Sequence, residues 1–246
     1  MQHAPNVHLK RLCDPNKDVR VDAALQLGKA AEFATLAALL VAIRVESDAY
    51  VRETMTWAIV KFGEHAISPL TDMLADADPM VRHQAVHVLG KIGTPNTIHL
   101  LIGALIDTDA AVRLKSALSL GEIGDASAVP FLINLLGDED NAVQSTVNAA
   151  LDQLGETSVA PLCAALHDSR WTIRRQAAEI LGMIGSQKAI PDLSQVLQDA
   201  HADVRFAAIS ALHYIGDIDA RAAMQSAAND ADERVRVLAK RALPLA

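Results

Sequence analysis

Aromatic residues and cysteines are scarce in this 246-residue sequence. Only 3% of the residues are aromatic, so aliphatic side chains must fill the core, and the apolar content of 51% supplies them. The two cysteines, Cys13 and Cys163, are far apart and both fall in apolar helical patterns. This usage predicts buried, reduced thiols and a reducing compartment rather than a disulfide framework.

Excess positive charge and long apolar segments are also missing. The formal net charge is −8, which disfavours a general nucleic-acid binder, because such proteins present a basic surface. The longest apolar run, 36–43, ends at Arg44 and is too short to cross a bilayer. Residues 1–14 lack an apolar core of signal-peptide length. We therefore expect a cytoplasmic protein that is not associated with membranes.

The sequence does contain a repeated dipeptide, Val-Arg or a close variant, which returns about every 31 residues. The eight copies begin at Val19, Val51, Val81, Val112, Val143, Ile173, Val204 and Val235. All but the first and last are followed twelve residues later by a glycine. A fixed period of this length indicates stacked helical repeats.

Residues 64–93 show what one repeat contains. Apolar residues between 66 and 74 recur at helical spacing, and a second apolar stripe runs from Val81 to Ile92. A polar turn separates them, and Gly93 ends the second helix because glycine takes the left-handed conformation at little cost. A helix pair this short cannot bury its apolar faces alone, so neighbouring pairs must stack.

The pattern Asp-x-x-x-Val-Arg-x-x-Ala-Ala-x-x-Leu-Gly-x-Ile-Gly is best developed at 112–124, 173–185 and 81–93. It resembles the HEAT-like repeats of the phycobilisome-lyase type. The resemblance implies an all-α fold, a right-handed α-solenoid of about eight stacked two-helix repeats in one domain. The expected repeats are 1–31, 32–63, 64–93, 94–124, 125–155, 156–185, 186–216 and 217–246. Ala31 departs from the pattern where a glycine is expected, and Gln144 replaces an arginine.

The resemblance also implies that a recurrent aspartate and the repeated arginine bridge neighbouring repeats. The aspartates at this point of the pattern are Asp18, Asp48, Asp78, Asp109, Asp140, Asp168, Asp203 and Asp232. We interpret this ladder as structural, because eight near-identical copies cannot all be an active site.

In HEAT-like repeats the second helices line a concave face, and helical spacing then selects the side chains that point into it. The predicted binding residues are Tyr50, Glu53, Trp57, Lys61, His83, Gln84, His87, Lys91, Lys115, Arg175, Phe206 and Tyr214. Half of the aromatic residues belong to this set, and exposed aromatics are typical interface anchors. The alternative is that Trp57 and Phe206 pack against the next repeat.

His83 and His87 lie one helical turn apart, with Glu53 expected alongside, which is a possible metal-ligand arrangement. The iron enzyme deoxyhypusine hydroxylase, built from similar repeats, carries repeated His-Glu pairs, but this sequence contains no His-Glu dipeptide. We therefore expect no cofactor and no resident metal, and keep a hydroxylase-like metal site as an alternative.

The leading interpretation is a non-catalytic scaffold that binds a peptide or a partner protein in the concave groove. One alternative, from resemblance alone, is a bilin lyase-like role in chromophore attachment or as a chaperone subunit. Another is DNA binding in the manner of HEAT-like alkylpurine glycosylases. Its basic stripe would be Lys61, Lys91, Lys115 and Arg175, with Trp57 stacking on a base. The sequence names neither the partner nor the oligomeric state.

Overall fold

The computed structural model describes residues 4–242, and within this range the chain is helical and contains no strand. The outermost residues of the first and last predicted repeats, 1–3 and 243–246, lie outside the described range. The chain divides into two compact units, unit 1 at Met1–Ile123 and unit 2 at Gly124–Ala246.

Within residues 4–123, unit 1 is built from four helix pairs. In chain order they are α1 (Ala4–Arg11) with α2 (Lys17–Ala30), α3 (Phe33–Val45) with α4 (Ala49–Val60), α5 (Ile67–Leu74) with α6 (Pro79–Ile92), and α7 (Pro95–Ala104) with α8 (Ala110–Ile123). Second helices of neighbouring repeats pack on each other, as α2 does on α4 and α6 on α8. Aliphatic side chains such as Leu27, Met55, Leu89 and Leu120 are fully buried between them.

Unit 2 contains four further helix pairs within the described residues. They are α9 (Val129–Asn134) with α10 (Asn141–Leu154), α11 (Glu156–Ala165) with α12 (Trp171–Ile184), α13 (Ile190–Gln195) with α14 (Ala202–Ile215), and α15 (Ile218–Met224) with α16 (Glu233–Ala242). The predicted all-α fold of stacked two-helix repeats is confirmed. The organisation of all eight repeats as a single domain stays a prediction.

Most second helices end in a residue with left-handed backbone conformation. Gly93 adopts it at φ 61° and its N–H bonds to the carbonyl of Leu89 at 3.0 Å. In the first repeat Ala31 takes the same conformation at φ 45° and closes the same bond, to Leu27, at 2.9 Å. The left-handed region costs a residue with a Cβ about 1–2 kcal/mol, so the stacking of the repeat overrides the local preference at Ala31.

The aspartates singled out in the sequence mostly cap their own helices rather than bind the repeated arginines, which corrects the expected ladder. The carboxylate of Asp78 accepts the N–H of Met80 at 2.9 Å, and Asp140 accepts that of Ala142 at 2.7 Å. Such side-chain caps satisfy donors that the first helical turn leaves open. The acids that meet the repeated arginines lie earlier in the turn: Glu46, Asp107 and Asp230 precede the singled-out aspartate by two residues, and Asp199 precedes it by four.

A bidentate ion pair joins the turn of one repeat to the turn of the next. Nε and Nη2 of Arg82 both donate to the carboxylate of Asp107 at 2.7 Å, while Nη1 donates to the carbonyl of Asp76 in its own turn at 2.9 Å. The same geometry recurs in three further pairs: Arg20 with Glu46, Arg174 with Asp199, and Arg205 with Asp230. Both partners are largely buried in each pair. Two-pronged, charge-assisted bonds of this kind fix geometry as well as adding stability.

Close contact between second helices requires small residues at the crossing. A Cβ added to Gly182 of α12 would lie 2.8 Å from Cα and 3.0 Å from Cβ of Ala211 in α14. Gly28 meets Ala58 in the same way, between α2 and α4. These glycines let the helix backbones approach more closely than any other residue allows.

No helix between residues 4 and 242 is long and apolar enough to span a membrane. The expected cytoplasmic location stays a prediction.

We predict that Gly182→Ala lowers the free energy of unfolding by about 1–3 kcal/mol, because the added methyl group overpacks the α12–α14 contact. The matched control is Gly103→Ala in α7, where an added Cβ meets nothing within 4 Å. Gly103→Ala should raise the free energy of unfolding by up to about 1 kcal/mol, because alanine forms helix more readily than glycine. Urea unfolding of both variants tests the pair. Equal effects at the two sites would contradict the close helix contact.

We predict that Asp107→Asn lowers the free energy of unfolding by about 1.5–3 kcal/mol at neutral pH, since it removes a charged hydrogen-bond acceptor. The hydrogen bonds from Arg82 hold the pKa of Asp107 below its usual value. The contribution is therefore complete above the unfolded-state pKa, about 3.9, and is lost as the pH falls through the lower folded-state pKa.

Urea unfolding at a series of pH values should show wild type and Asp107→Asn converging in strongly acidic solution. Asp72→Asn, on an exposed position of α5, is the control and should stay close to wild type throughout. A stability gap at Asp107 that persists undiminished in strong acid would show that its charge is not the source.

Candidate functional site

The second helices of unit 1 present a continuous set of polar and aromatic side chains. We call it the unit 1 face, and it consists of Tyr50, Glu53, Trp57, Lys61, His83, His87, Lys91 and Lys115. Tyr50 is 68% exposed and Trp57 is 49% exposed, although both are large side chains with much apolar surface. Of the predicted binding residues in this unit, only Gln84 does not reach the surface.

Gln84 is only 7% exposed, so its assignment to the binding face was wrong. Its Nε2 donates to Oγ1 of Thr56 on the neighbouring second helix at 2.9 Å. The equivalent residue of unit 2, Gln176, is also buried and donates to Oε1 of Gln144 at 3.0 Å. Because the second helices approach so closely, the third residue after the repeated valine points between them rather than outward.

A hollow of about 170 Å³ opens on the unit 1 face between α4, α6 and α8. It is lined by Ala49, Arg52, Glu53, His83, Gln84, His87 and Lys115. Nε2 of His87 and Oε2 of Glu53 are 2.7 Å apart, a hydrogen bond that joins neighbouring repeats. The other ring nitrogen, Nδ1 of His87, is buried and has no hydrogen-bond partner among the described residues.

Burial and neighbouring charges determine protonation in this hollow. Burial lowers the pKa of His83, and the nearby Lys115 ammonium lowers it further. Burial also lowers the pKa of His87, although the hydrogen bond with Glu53 acts in the opposite direction. The pKa of Lys115 is lowered because burial disfavours its charge. Both imidazoles are therefore neutral at pH 7, with their ordinary pKa near 6.5 moved down.

The metal-ligand arrangement considered for Glu53, His83 and His87 is not formed. Across residues 4–242, no group of three or more His, Cys, Asp or Glu side chains is placed to hold a metal ion. Glu53 and His87 bond to each other instead.

Trp57 is both exposed, as an interface anchor would be, and packed against a neighbouring repeat, which are the two alternatives that the sequence left open. It lines a small apolar hollow of about 230 Å³ between α2 and α4, together with Leu25 and Gly28 of the preceding repeat. Leu25 is itself 46% exposed. Trp57 thus packs on its neighbour and still presents half of its surface to solvent.

In unit 2, the predicted residues fall on α12 and α14. Arg175 pairs with Glu179 one turn later at 2.6 Å, and Tyr214 is exposed. An apolar hollow of about 500 Å³ lies between these helices, and Met183 and Tyr214 line it. Phe206 has the Arg234 guanidinium 5.7 Å from its ring centre, a cation–π contact with the following repeat. Part of the Phe206 ring surface is therefore covered by the following repeat.

The basic stripe considered for DNA binding is partly neutralised. Nζ of Lys91 lies 3.3 Å from the carboxylate of Glu122, and Arg175 is paired with Glu179. Two of the four cations in that stripe are therefore engaged within the protein, which disfavours it as a phosphate-binding surface.

Two features were missed from the sequence. The Trp171 ring stacks on His201 at 3.9 Å with an interplanar angle of 4°, and their separation of about one period was a usable signal. Arg52 lines the unit 1 hollow, although its place in the repeat indicated a purely structural role. Whether Arg52 is purely structural depends on which carboxylates lie near it, and the repeat pattern does not reveal this.

A family model for HEAT repeats matches residues 6–78, 36–120, 99–162 and 159–244, which together cover nearly the whole chain. This chain belongs to the HEAT repeat family. The resemblance inferred from the repeat pattern is therefore confirmed. No curated protein matches the sequence.

Several solved structures are similar to this HEAT repeat protein to different degrees. Kap95p, from a complex with RanGDP, is 15% identical with a TM-score of 0.57 over 97% of this chain and 40% of its own. The complex of CpcE and CpcF of phycocyanin lyase from Nostoc sp. PCC7120 gives 22% identity and a TM-score of 0.44, covering 99% of this chain and 96% of that one. Human deoxyhypusine hydroxylase is 22% identical with a TM-score of 0.42, and the match covers 97% of this chain and 94% of the hydroxylase chain. The likeness to Kap95p shows a common fold, and an identity of 15% does not transfer a function.

We predict that Glu53→Gln lowers the pKa of His87 still further, because the substitution removes the negative charge that favours the imidazolium. Titration of the histidine Cε1–H resonances by NMR measures the shift directly. Glu122→Gln, farther along the same face, is the control and should move His87 much less. An unchanged or raised pKa of His87 in Glu53→Gln would contradict the hydrogen bond.

Proposed function

We propose that this protein is a non-catalytic scaffold that binds a partner protein or peptide on the unit 1 face. The observation that carries the proposal is the exposure of Tyr50 and Trp57 on one helix, α4, beside the polar hollow. Exposed aromatic side chains next to convergent polar groups are the usual composition of a protein interface core.

The magnitude of the available burial supports binding. Covering the exposed half of Trp57 would remove on the order of 100 Å² of surface from water, worth about 2–3 kcal/mol. Tyr50 offers a comparable area and a hydroxyl for a hydrogen bond. Two such anchors suffice for a specific contact when surrounding polar groups exclude water.

We predict that Tyr50→Ala/Trp57→Ala loses partner capture from a lysate of the source cells by about 30-fold or more, since losing each anchor costs about 2 kcal/mol. The immobilised full-length protein is used, and captured proteins are quantified by mass spectrometry against wild type.

The matched control is Val41→Ala/Ile106→Ala. These two apolar residues are as exposed as the anchors, and they lie on or just after first helices, away from the unit 1 face. The control should capture the same proteins as wild type, and thermal melts should establish that both variants are folded. Equal capture by the Tyr50/Trp57 variant and wild type would contradict the proposal.

A further inference from the structure

The repeated arginine of the second repeat, Arg52, lacks the carboxylate that Arg20, Arg82, Arg174 and Arg205 bind. Its Nη1 donates to the carbonyls of Glu46 and Ser47 at 2.9 and 2.7 Å, as in the other repeats. These are the only side-chain hydrogen bonds it makes within residues 4–242. The acid at the equivalent place in the next turn, Asp76, is instead 3.1 Å from Nη2 of Arg44.

Arg52 is one of the residues that line the unit 1 hollow, and its Nε and Nη2 make no hydrogen bond with the described residues. Arg52 lines the hollow with Lys115 and His83, and its charge acts on His83. In Arg20 and Arg82 the same edge, Nε with Nη2, binds both oxygens of a Glu or Asp. The protein itself therefore demonstrates which chemical group fits this edge.

Among the residues that line the hollow, Arg52 and Lys115 are cations and Glu53 is an acid, while both imidazoles are neutral, so the lining carries one net positive charge. The groups that face it or lie beside it come from three helices and the turn before α8: Arg52, Glu53, His83, His87, Lys91, Asp109, Lys115 and Glu122.

Each acid in this set already has a partner. Glu53 bonds to His87, Glu122 pairs with Lys91, and Asp109 caps α8 through the N–H of Ala111. The Lys115 ammonium makes no ion pair with any residue of the described range, as is true of Arg52. Two cations thus converge on the hollow without an acid of their own.

We propose that the unit 1 hollow binds a carboxylate of an acidic side chain on the partner protein, held by Arg52 and Lys115. The inference rests on the proposed scaffold function and specifies the partner as one that presents Asp or Glu beside the surface that covers Tyr50 and Trp57. The partner's carboxylate binds Arg52 as the Asp107 carboxylate binds Arg82, so the acid that this repeat lacks comes from the partner protein. His83 lies within the field of the bound anion and acts as its reporter.

The test is an NMR titration of the intact protein with a short poly-glutamate peptide, followed at the Cε1–H of His83. A poly-glutamine peptide and inorganic phosphate, at matched ionic strength, are the comparison ligands. Saturable binding of poly-glutamate should raise the pKa of His83, because a nearby negative charge favours the imidazolium. Poly-glutamine should leave it unchanged.

Two variants test the assignment of residues. Arg52→Gln keeps the bond within the turn, as Gln144 does at the equivalent place by donating to the carbonyl of Asp138. Lys115→Gln removes the second cation. Each should weaken poly-glutamate binding about tenfold, as expected for one charged hydrogen bond. Lys10→Gln, at an exposed position of the first helix α1, changes the net charge equally, and it should bind as wild type does.

Each contrary outcome has a distinct meaning. Absence of any shift at His83 in wild type overturns the site, as does equal weakening by Lys10→Gln and Lys115→Gln. A response to phosphate as strong as that to poly-glutamate overturns the carboxylate assignment in favour of a phosphate group. Partner capture that survives Arg52→Gln and Lys115→Gln but not Tyr50→Ala/Trp57→Ala overturns the hollow alone and leaves the scaffold function standing.

Discussion

The bidentate contact between an arginine in one turn and a carboxylate in the next sets the register of successive repeats. Arg82 shows its three tasks together: it satisfies carbonyls in its own turn, binds Asp107, and does so while largely buried. A buried guanidinium is tolerated only when nearly all of its donors are satisfied, so the contact allows little variation in how repeats stack. The same turn acid also accepts the N–H of Asp109, which ties the ion pair to the start of the following helix.

The significance of Arg52 follows from that constraint. For Arg20, Arg82, Arg174 and Arg205 the carboxylate comes from this chain, and the arginine is part of the scaffold. In the second repeat Asp76 binds Arg44 instead, and Arg52 lines a hollow together with Lys115. A residue whose sequence context is structural thereby becomes available for binding. A repeat architecture can thus acquire a binding site by the loss of one internal contact, without a change of fold.

Close packing of second helices has the opposite effect, since it removes side chains from the surface. Gln84 bonds across the contact between α4 and α6, and Gln176 bonds across the contact between α10 and α12. Gly28 and Gly182 allow the close approach in the adjacent contacts, α2–α4 and α12–α14. Aromatic residues such as Tyr50 lie outside this seam and remain exposed. The composition of the surface therefore depends on how closely the helices approach, and the acidic net charge of the whole chain says little about a local hollow that is positive.

The sequence by itself determined the all-helical fold, the two-helix unit and its period, because the apolar spacing and the glycine stops are local properties of about 31 residues. It also placed Tyr50, Trp57 and the pair of His87 with Glu53 on one surface, since helical periodicity decides which side chains share a face. Only the tertiary structure decided that Gln84 is buried, that turn acids such as Asp107 complete the ladder, and that Arg52 is left without one. These outcomes depend on distances between side chains that are about one period apart in the sequence. Each repeat offers chemically similar partners, so only the packed positions of the side chains decide which of them meet.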